Sequence, residues 1–494
     1  MTSTPSRRAI LTGLAATAGH AALAEAPLST MRPPPRGVVT PRDGRTNDLV
    51  AKSGVVGAVT FAVADAETGE ILDMRQQGRP MPPASTLKAV TSLYALDRLG
   101  ADFRFETRVF ADGEIVDGEL KGDLCLVGGG DPTLTSDALA DLSKVVAEAG
   151  ISRISGRFLV WADALPRADR IDADQPEVVA YNPSYGGLNL NFNRVHFEWI
   201  PEGEKINITM QARSLRNSPE TNVSRMQMVD RSSPVYEYRK GMTADYWSVA
   251  RGSLGKKAGA RWLPVRFPAL YAGDAFRSVA RLNGLKLPFP QVSQTAPVGR
   301  VVGAASSDAL DKMLTGMMRY STNITAEAVG MTSSLANDVP LGNLVGSGSR
   351  MAGWAETRFG TRRMTFRDHS GLGYDSEISA RDMLEILRQG EGVEPLMKSL
   401  SVPDPNHTDG KPMEGVSAVA KTGTLNFVSA LVGYMYTKSG RRLVFAILTA
   451  DKQRRDSIPT EQRERPPGSR TWANRSRRLQ KRLLSEWARQ FERS

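Results

Sequence analysis

The spacing of apolar residues changes period several times along the chain, and the changes mark out its elements. Residues 55–64 alternate and predict a strand, 65–69 supply a turn, and 70–75 return as the second strand of a hairpin. Pro82-Pro83 stops any strand, and residues 84–99 read as a helix starting near Ser85. Repeated glycines among alternating apolar residues at 112–130 predict short hairpins, and 158–161 and 195–199 predict further strands. Residues 306–319 and 324–334 have helical spacing. Residues 379–388 form another helix, entered by Ser379 with Asp382 three positions on, a capping arrangement. Residues 417–424, 427–436 and 441–450 predict three consecutive antiparallel strands, while 203–260 are polar and weakly periodic and receive no element. A hairpin and helix at one end, and helices with three strands at the other, thus flank a long β-rich middle. A mixed α/β domain interrupted by a large insertion explains that order.

The two ends of the chain change the picture. Residues 11–24 are small and apolar, follow Arg7-Arg8, carry no acidic residue and close on Ala22-Leu23-Ala24. This is the pattern of a cleaved export signal, with an arginine pair of twin-arginine type, and it predicts a periplasmic protein. A Pro-rich stretch, Met31 to Arg36, lies in the linker assigned to residues 25–45. The net charge of +11 is concentrated at the other end, where residues 452–494 hold 13 Lys+Arg against 5 Asp+Glu. Within it Leu479, Leu483, Trp487 and Phe491 recur at i+4 spacing, an apolar stripe suited to packing on the parent domain. The same basic amphipathic helix also suits peripheral contact with anionic lipid or wall polymer. Nucleic acid is excluded as a partner, because an exported chain rarely meets it and no recognition motif is present. Cys125 is the only cysteine and the histidines are widely spaced, so no intramolecular disulfide, metal site or other cofactor is expected.

Three short motifs carry candidate chemistry. In Ser85-Thr86-Leu87-Lys88, helical spacing brings the Lys88 amine within reach of the Ser85 hydroxyl. A serine needs a base, and lysine can act as one only if burial or a nearby cation lowers its pKa. A helix start at Ser85 also aims backbone N–H groups at a developing oxyanion. Serine and lysine at this spacing arise by chance about once in such a chain. Ser321-Thr322-Asn323 lies between two helices, where Ser321 suits a proton relay and Asn323 a substrate carbonyl. Lys421-Thr422-Gly423 is the informative motif, with only about 0.06 chance matches expected. Lys421 and Thr422 suit a substrate carboxylate, Gly423 permits a close backbone approach, and a second cation near Lys88 would lower its pKa.

In this order the three motifs resemble those of penicillin-binding proteins and serine β-lactamases. The long gap between Lys88 and Ser321, the Gly128-Gly-Gly-Asp-Pro-Thr-Leu134 turn and Asp368-His-Ser-Gly-Leu372 resemble the class C low-molecular-mass penicillin-binding proteins. These are the D-alanyl-D-alanine carboxypeptidase/endopeptidase family. The resemblance implies an α+β fold: a transpeptidase-like domain over residues 46–105 and 295–452, carrying an inserted domain II over 106–155 and 260–294. A domain III would occupy 156–259, with residues 1–24 as signal and 453–494 as a basic helical tail. It implies that Ser85 is acylated by stem peptides of peptidoglycan and by β-lactams, with Lys88 as base and Ser321 as relay. Asn323, Lys421, Thr422, Gly423 and Thr424 would bind substrate, and the N–H groups of Ser85 and Thr424 would form the oxyanion hole.

The chain departs from the family at Thr322, where an acidic residue is usual, at His369, where glycine is usual, and at Gly186-Gly187, where Ser-Ala is usual. Two other constellations carry less. Asp368, His369 and Ser370 are consecutive and cannot converge on one reacting atom as a triad. Gly128 to Gly130 lack the Gly-Lys-Ser/Thr of a phosphate loop. The alternatives are a β-lactamase or esterase on the same scaffold, against which the insertion argues, and a catalytically weak wall-binding protein, against which the intact motifs argue.

Overall fold

The computed structural model describes residues 44–336, 340–362, 364–407 and 409–492. The export signal and nearly all of the Pro-rich linker lie outside these residues. Among the described residues, no helix is long and apolar enough to cross a membrane.

A six-stranded antiparallel sheet organises the molecule. Its order is Ile71–Arg75, Ala58–Asp65, Arg442–Ala450, Val428–Tyr436, Ser417–Leu425 and Lys398–Leu400. The first hairpin of the chain therefore pairs with the last long strand, Ala58 opposite Ala450 and Asp65 opposite Leu443. Both faces of the central strands are buried, which is why residues 428–436 and 442–450 are apolar almost throughout. On one face lie the helices Leu87–Leu99, Leu310–Tyr320, Asn323–Leu335, Leu344–Phe359 and Ala380–Gln389, in a single core with Val432, Val444 and Leu448. Ser379 caps the last of these, accepting from the Asp382 N–H at 3.0 Å.

The other face is covered by the C-terminal helix, Ser469–Gln490. Its i+4 stripe, with Leu484, packs on Phe61, Phe445 and Ile447, and the Trp487 indole N–H donates to Asp73 at 2.8 Å. The basic segment is thus part of the catalytic-domain core rather than an appended tail, because the outer sheet face would otherwise expose its apolar residues to water. Its charge is displayed on the opposite side of the helix, where Arg475, Arg478, Lys481 and Arg482 are exposed.

The insertion is built on a second sheet, ordered Gln291–Val292, Phe158–Trp161, Asp123–Gly128, Glu106–Asp112 and Arg300–Ser306. Two sequence boundaries move as a result. Residues 158–161, placed in domain III, and 300–306, placed in the catalytic domain, are both hydrogen-bonded into this sheet. Helices Ser136–Glu148 and Pro268–Leu282, which have no sequence-level counterpart above, pack on it. Residues 203–260, left unassigned, hold strands Lys205–Gln211, Ser224–Val229, Tyr236–Lys240 and Asp245–Ala250, and the start of Gly259–Pro264. With Arg194–Glu202 they form two three-stranded sheets, one of which pairs 224–229 with 245–250 in parallel. Their half-buried positions are filled by Ile206, Ile208, Met226, Met228, Tyr236 and Tyr238, interleaved with polar and charged residues, so the apolar signal is faint.

Candidate active site

Ser85 occupies a single 3₁₀ turn, Ala84–Thr86, that feeds directly into helix Leu87–Leu99. Pro82-Pro83 ends the preceding strand, and Ala84 starts the turn at a left-handed φ of 46°. Strand Ser417–Leu425 runs beside this turn. A side chain on Gly423 would stand 2.7 Å from the Pro83 carbonyl oxygen and 3.0 Å from the Ser85 nitrogen. The strand can approach the serine so closely only because residue 423 is glycine. Neighbouring strand 398–400 pairs with Ala418–Ala420, so among the described residues no strand covers the outer edge from Lys421 to Leu425.

Lys88 is fully buried on the first turn of the helix. Its Nζ lies 3.1 Å from Ser85 Oγ, 2.8 Å from Asn323 Oδ1 and 2.8 Å from the Ser370 carbonyl oxygen. The Asn323 amide is oriented by its own N–H donation to the Tyr181 carbonyl at 2.8 Å. An ammonium satisfies all three acceptors. When Lys88 loses a proton, the two carbonyl-type oxygens still demand N–H groups, and only the Ser85 hydroxyl can reverse its role and donate. The lone pair therefore points at Ser85. Burial pushes the Lys88 pKa down, and the positive charge of Lys421 pushes it further in the same direction.

Two acidic side chains hold this arrangement from below: Glu327, missed at the sequence level, and Asp368, placed there in a motif without a role. Glu327, on the same helix as Asn323 and fully buried, accepts from the His369 N–H at 2.8 Å and the Ser370 N–H at 3.1 Å. It thereby anchors the two peptides just before the one whose carbonyl faces Lys88. Asp368 accepts from the Gly371 and Gly373 N–H groups at 2.9 and 2.6 Å and closes the same loop. Burial raises the pKa of both carboxyls, and Asp368 raises that of Glu327 further. The signal was available, since Glu327 is the one charged residue of helix Asn323–Leu335 and stands four positions after Asn323.

Ser321 sits in the left-handed region at φ 58°, at the end of helix Leu310–Tyr320. It accepts from Lys421 Nζ at 3.0 Å. No hydrogen bond among the described residues joins it to Lys88. The three motifs thus form two bonded pairs with acceptors, Lys88 with Ser85 and Asn323, and Lys421 with Ser321. Ser85, Ser321, Asn323, Thr422 and Thr424 line one cleft of about 950 Å³. Tyr181 and Gln175 from the insertion form part of its wall, as do Arg465, Arg470 and Arg477 from the C-terminal segment.

The departures from the family fall outside the cleft. Thr322 bonds to Thr325 on the first turn of its own helix, at 2.9 Å. Gly187 bonds backbone to backbone with Gly130 and Ala162 in the insertion. The His369 ring is fully buried against Ser347, at 2.7 Å, and Met351, and burial lowers its pKa to about 3. It fits because position 330 is glycine: any β-carbon there would overlap the imidazole.

These features define a serine acyl-transfer enzyme of the penicillin-binding type. The model of the D-Ala-D-Ala carboxypeptidase 3 (S13) family matches residues 47–465, and the chain belongs to that family. The D-alanyl-D-alanine carboxypeptidase of Actinomadura sp. is 29% identical over 450 residues, covering 82% of this chain and 79% of that protein. The D-alanyl-D-alanine carboxypeptidase DacB of Haemophilus influenzae is 24% identical, covering 81% of this chain and 86% of its own. The crystal structure of penicillin-binding protein 4 from H. influenzae superposes with a TM-score of 0.68 at 20% identity. It covers 88% of this chain and 99% of that one. A second structure of that protein, complexed with a β-lactam, gives 0.63.

Proposed function

We propose that the protein is a serine D-alanyl-D-alanine carboxypeptidase or endopeptidase of peptidoglycan stem peptides, working through an acyl-enzyme on Ser85. The contact that carries this reading is the 3.1 Å approach of Lys88 Nζ to Ser85 Oγ, with the other two Lys88 partners being acceptors only. Neutral Lys88 takes the hydroxyl proton as Ser85 Oγ bonds to the carbonyl carbon of the penultimate D-alanine. The oxyanion is received by the N–H groups of Ser85 and Thr424. The bond to the leaving nitrogen then breaks, and that nitrogen takes a proton through Ser321, which Lys421 holds in place. Water hydrolyses the ester and returns the enzyme. Asn323 and Thr422 position the peptide along the uncovered strand edge. Preorganised donors of this kind contribute about 2.7–4 kcal/mol each to the transition state.

β-Lactams would acylate the same serine. Export to the periplasm by the arginine-pair signal is part of the same reading, supported by a wall-peptide substrate. The exposed cationic side of the C-terminal helix suits an anionic wall or lipid surface, since its apolar side is already used in packing. Labelling with a fluorescent penicillin tests the assignment. The wild type should give a covalent band that Ser85→Ala abolishes. An unlabelled wild type refutes the enzyme reading, and a band persisting in the variant moves the nucleophile elsewhere.

A further inference from the structure

The lysine of the third motif does not face the cleft. Lys421 is only 3% exposed, and its amine is occupied by Ser321 Oγ at 3.0 Å and its neighbour's carbonyl, Thr422 O, at 2.9 Å. Thr422 and Thr424 belong to the cleft wall and Lys421 does not. Burial lowers its pKa to about 8, so part of the population is uncharged in mildly alkaline conditions. A carboxylate arriving at Thr422 and Thr424 would meet two hydroxyls and no exposed cation from the strand.

An exposed cation is supplied from the C-terminal helix. Arg477 lines the same cleft as Ser85, Thr422 and Thr424. Its Nη2 donates to Thr424 Oγ1 at 3.5 Å, and its Nη1 donates to Asn474 Oδ1 at 3.3 Å, which sets the guanidinium beside the strand. No carboxylate among the described residues pairs with it. Two neighbours in the wall are engaged elsewhere: Arg455 with the Asn426 carbonyl and the Tyr374 ring, and Glu464 with Arg261. A guanidinium stays charged at any working pH and presents a planar fork to a carboxylate.

We propose that Arg477 is a specificity-determining residue which, with the hydroxyls of Thr422 and Thr424, receives the free α-carboxylate of the leaving D-residue. This rests on the D,D-peptidase reading given above. It places one arm of substrate recognition outside the three motifs, on the helix that also seals the sheet.

The test uses the full-length protein with Arg477→Lys, Arg477→Ala and Arg477→Glu. It measures kcat/KM on a peptide ending in D-Ala-D-Ala and on the same peptide with a C-terminal amide. On the acid peptide Arg477→Ala should lose about ten- to a hundredfold, mainly through KM, as expected for one charge-assisted contact. Arg477→Glu should lose more and Arg477→Lys less, while the amide peptide changes by under about threefold. Melting temperatures should match the wild type, since the side chain is exposed. The proposal is overturned if Arg477→Ala stays within twofold on the acid peptide, if the charge order is absent, or if both peptides lose equally. A wild type that labels with penicillin at Ser85 while Arg477→Ala is unaffected sinks this proposal alone. A wild type that neither labels nor cleaves sinks the peptidase reading as well.

Discussion

Lys421 Nζ stands 3.0 Å from Ser321 Oγ, so the second and third motifs, 100 residues apart in sequence, form one hydrogen-bonded unit beside the Ser85–Lys88 pair. That unit acts on Lys88 at a distance, because the Lys421 charge helps lower the Lys88 pKa. Acylation should therefore rise with pH as Lys88 deprotonates, with a limb near its pKa of about 7. In Lys421→Met the cation that disfavours the Lys88 ammonium is gone, so the acid limb should move to higher pH. Rates of penicillin acylation against pH check this; an unmoved acid limb contradicts it.

Glu327 anchors the loop that presents the Ser370 carbonyl, accepting from the His369 and Ser370 N–H groups, one on each carboxylate oxygen. Glutamine offers a single acceptor oxygen and turns an NH₂ group toward the other N–H. Glu327→Gln should lower the acylation rate by roughly 10–100-fold, an unsatisfied buried N–H costing about 1–3 kcal/mol. The Glu327 charge raises the Lys88 pKa, so its neutral replacement should also move the acid limb to lower pH. Circular dichroism separates this from unfolding, and an unchanged rate and profile would remove Glu327 from the positioning network.

His369 and Gly330 compensate each other, since the imidazole occupies the space a β-carbon at 330 would need. Gly330→Ala alone should destabilise by about 1–3 kcal/mol, the usual cost of overpacking. On a His369→Gly background the same change should cost much less. Thermal unfolding of the four members of the cycle measures the coupling, and additive effects would refute the compensation.

Removing residues 453–494 strips Trp472, Leu479, Leu483, Leu484, Trp487 and Phe491 from contact with the body of the protein. At about 1.5–3 kcal/mol for each buried apolar side chain, the loss is roughly 9–18 kcal/mol. That matches or exceeds the whole stability of a typical protein, about 5–15 kcal/mol. The truncated chain should be insoluble and unlabelled by penicillin. A soluble, labelled product would show that the helix is dispensable.

Much of the molecule could be read along the chain. The opening hairpin, the helix after Pro82-Pro83, the Ser379 cap and the last three strands carry local periods and caps that the fold keeps. Ser85, Lys88, Ser321, Asn323 and the Lys421-Thr422-Gly423-Thr424 stretch were identifiable because their chemistry is written in short spacings. What escaped was whatever depends on a distant partner. Strands 205–250 are only half-buried and alternate a few isoleucine, methionine and tyrosine side chains with polar ones, so their apolar signal is weak until the sheets assemble. Strand Arg300–Ser306 joins the insertion because its partner is Glu106–Asp112, almost 200 residues earlier. Glu327 looks like a misplaced charge until the loop at His369 and Ser370 folds onto it, and His369 looks like a departure until Gly330 is seen beneath its ring. The i+4 stripe of the basic segment suits packing on the parent domain, but a sequence does not show which bare sheet face that stripe must cover. A local pattern determines which groups are present and which elements they ride on; only tertiary contact decides which groups are buried together. Burial is what lowers the pKa of Lys88 and directs its lone pair at Ser85.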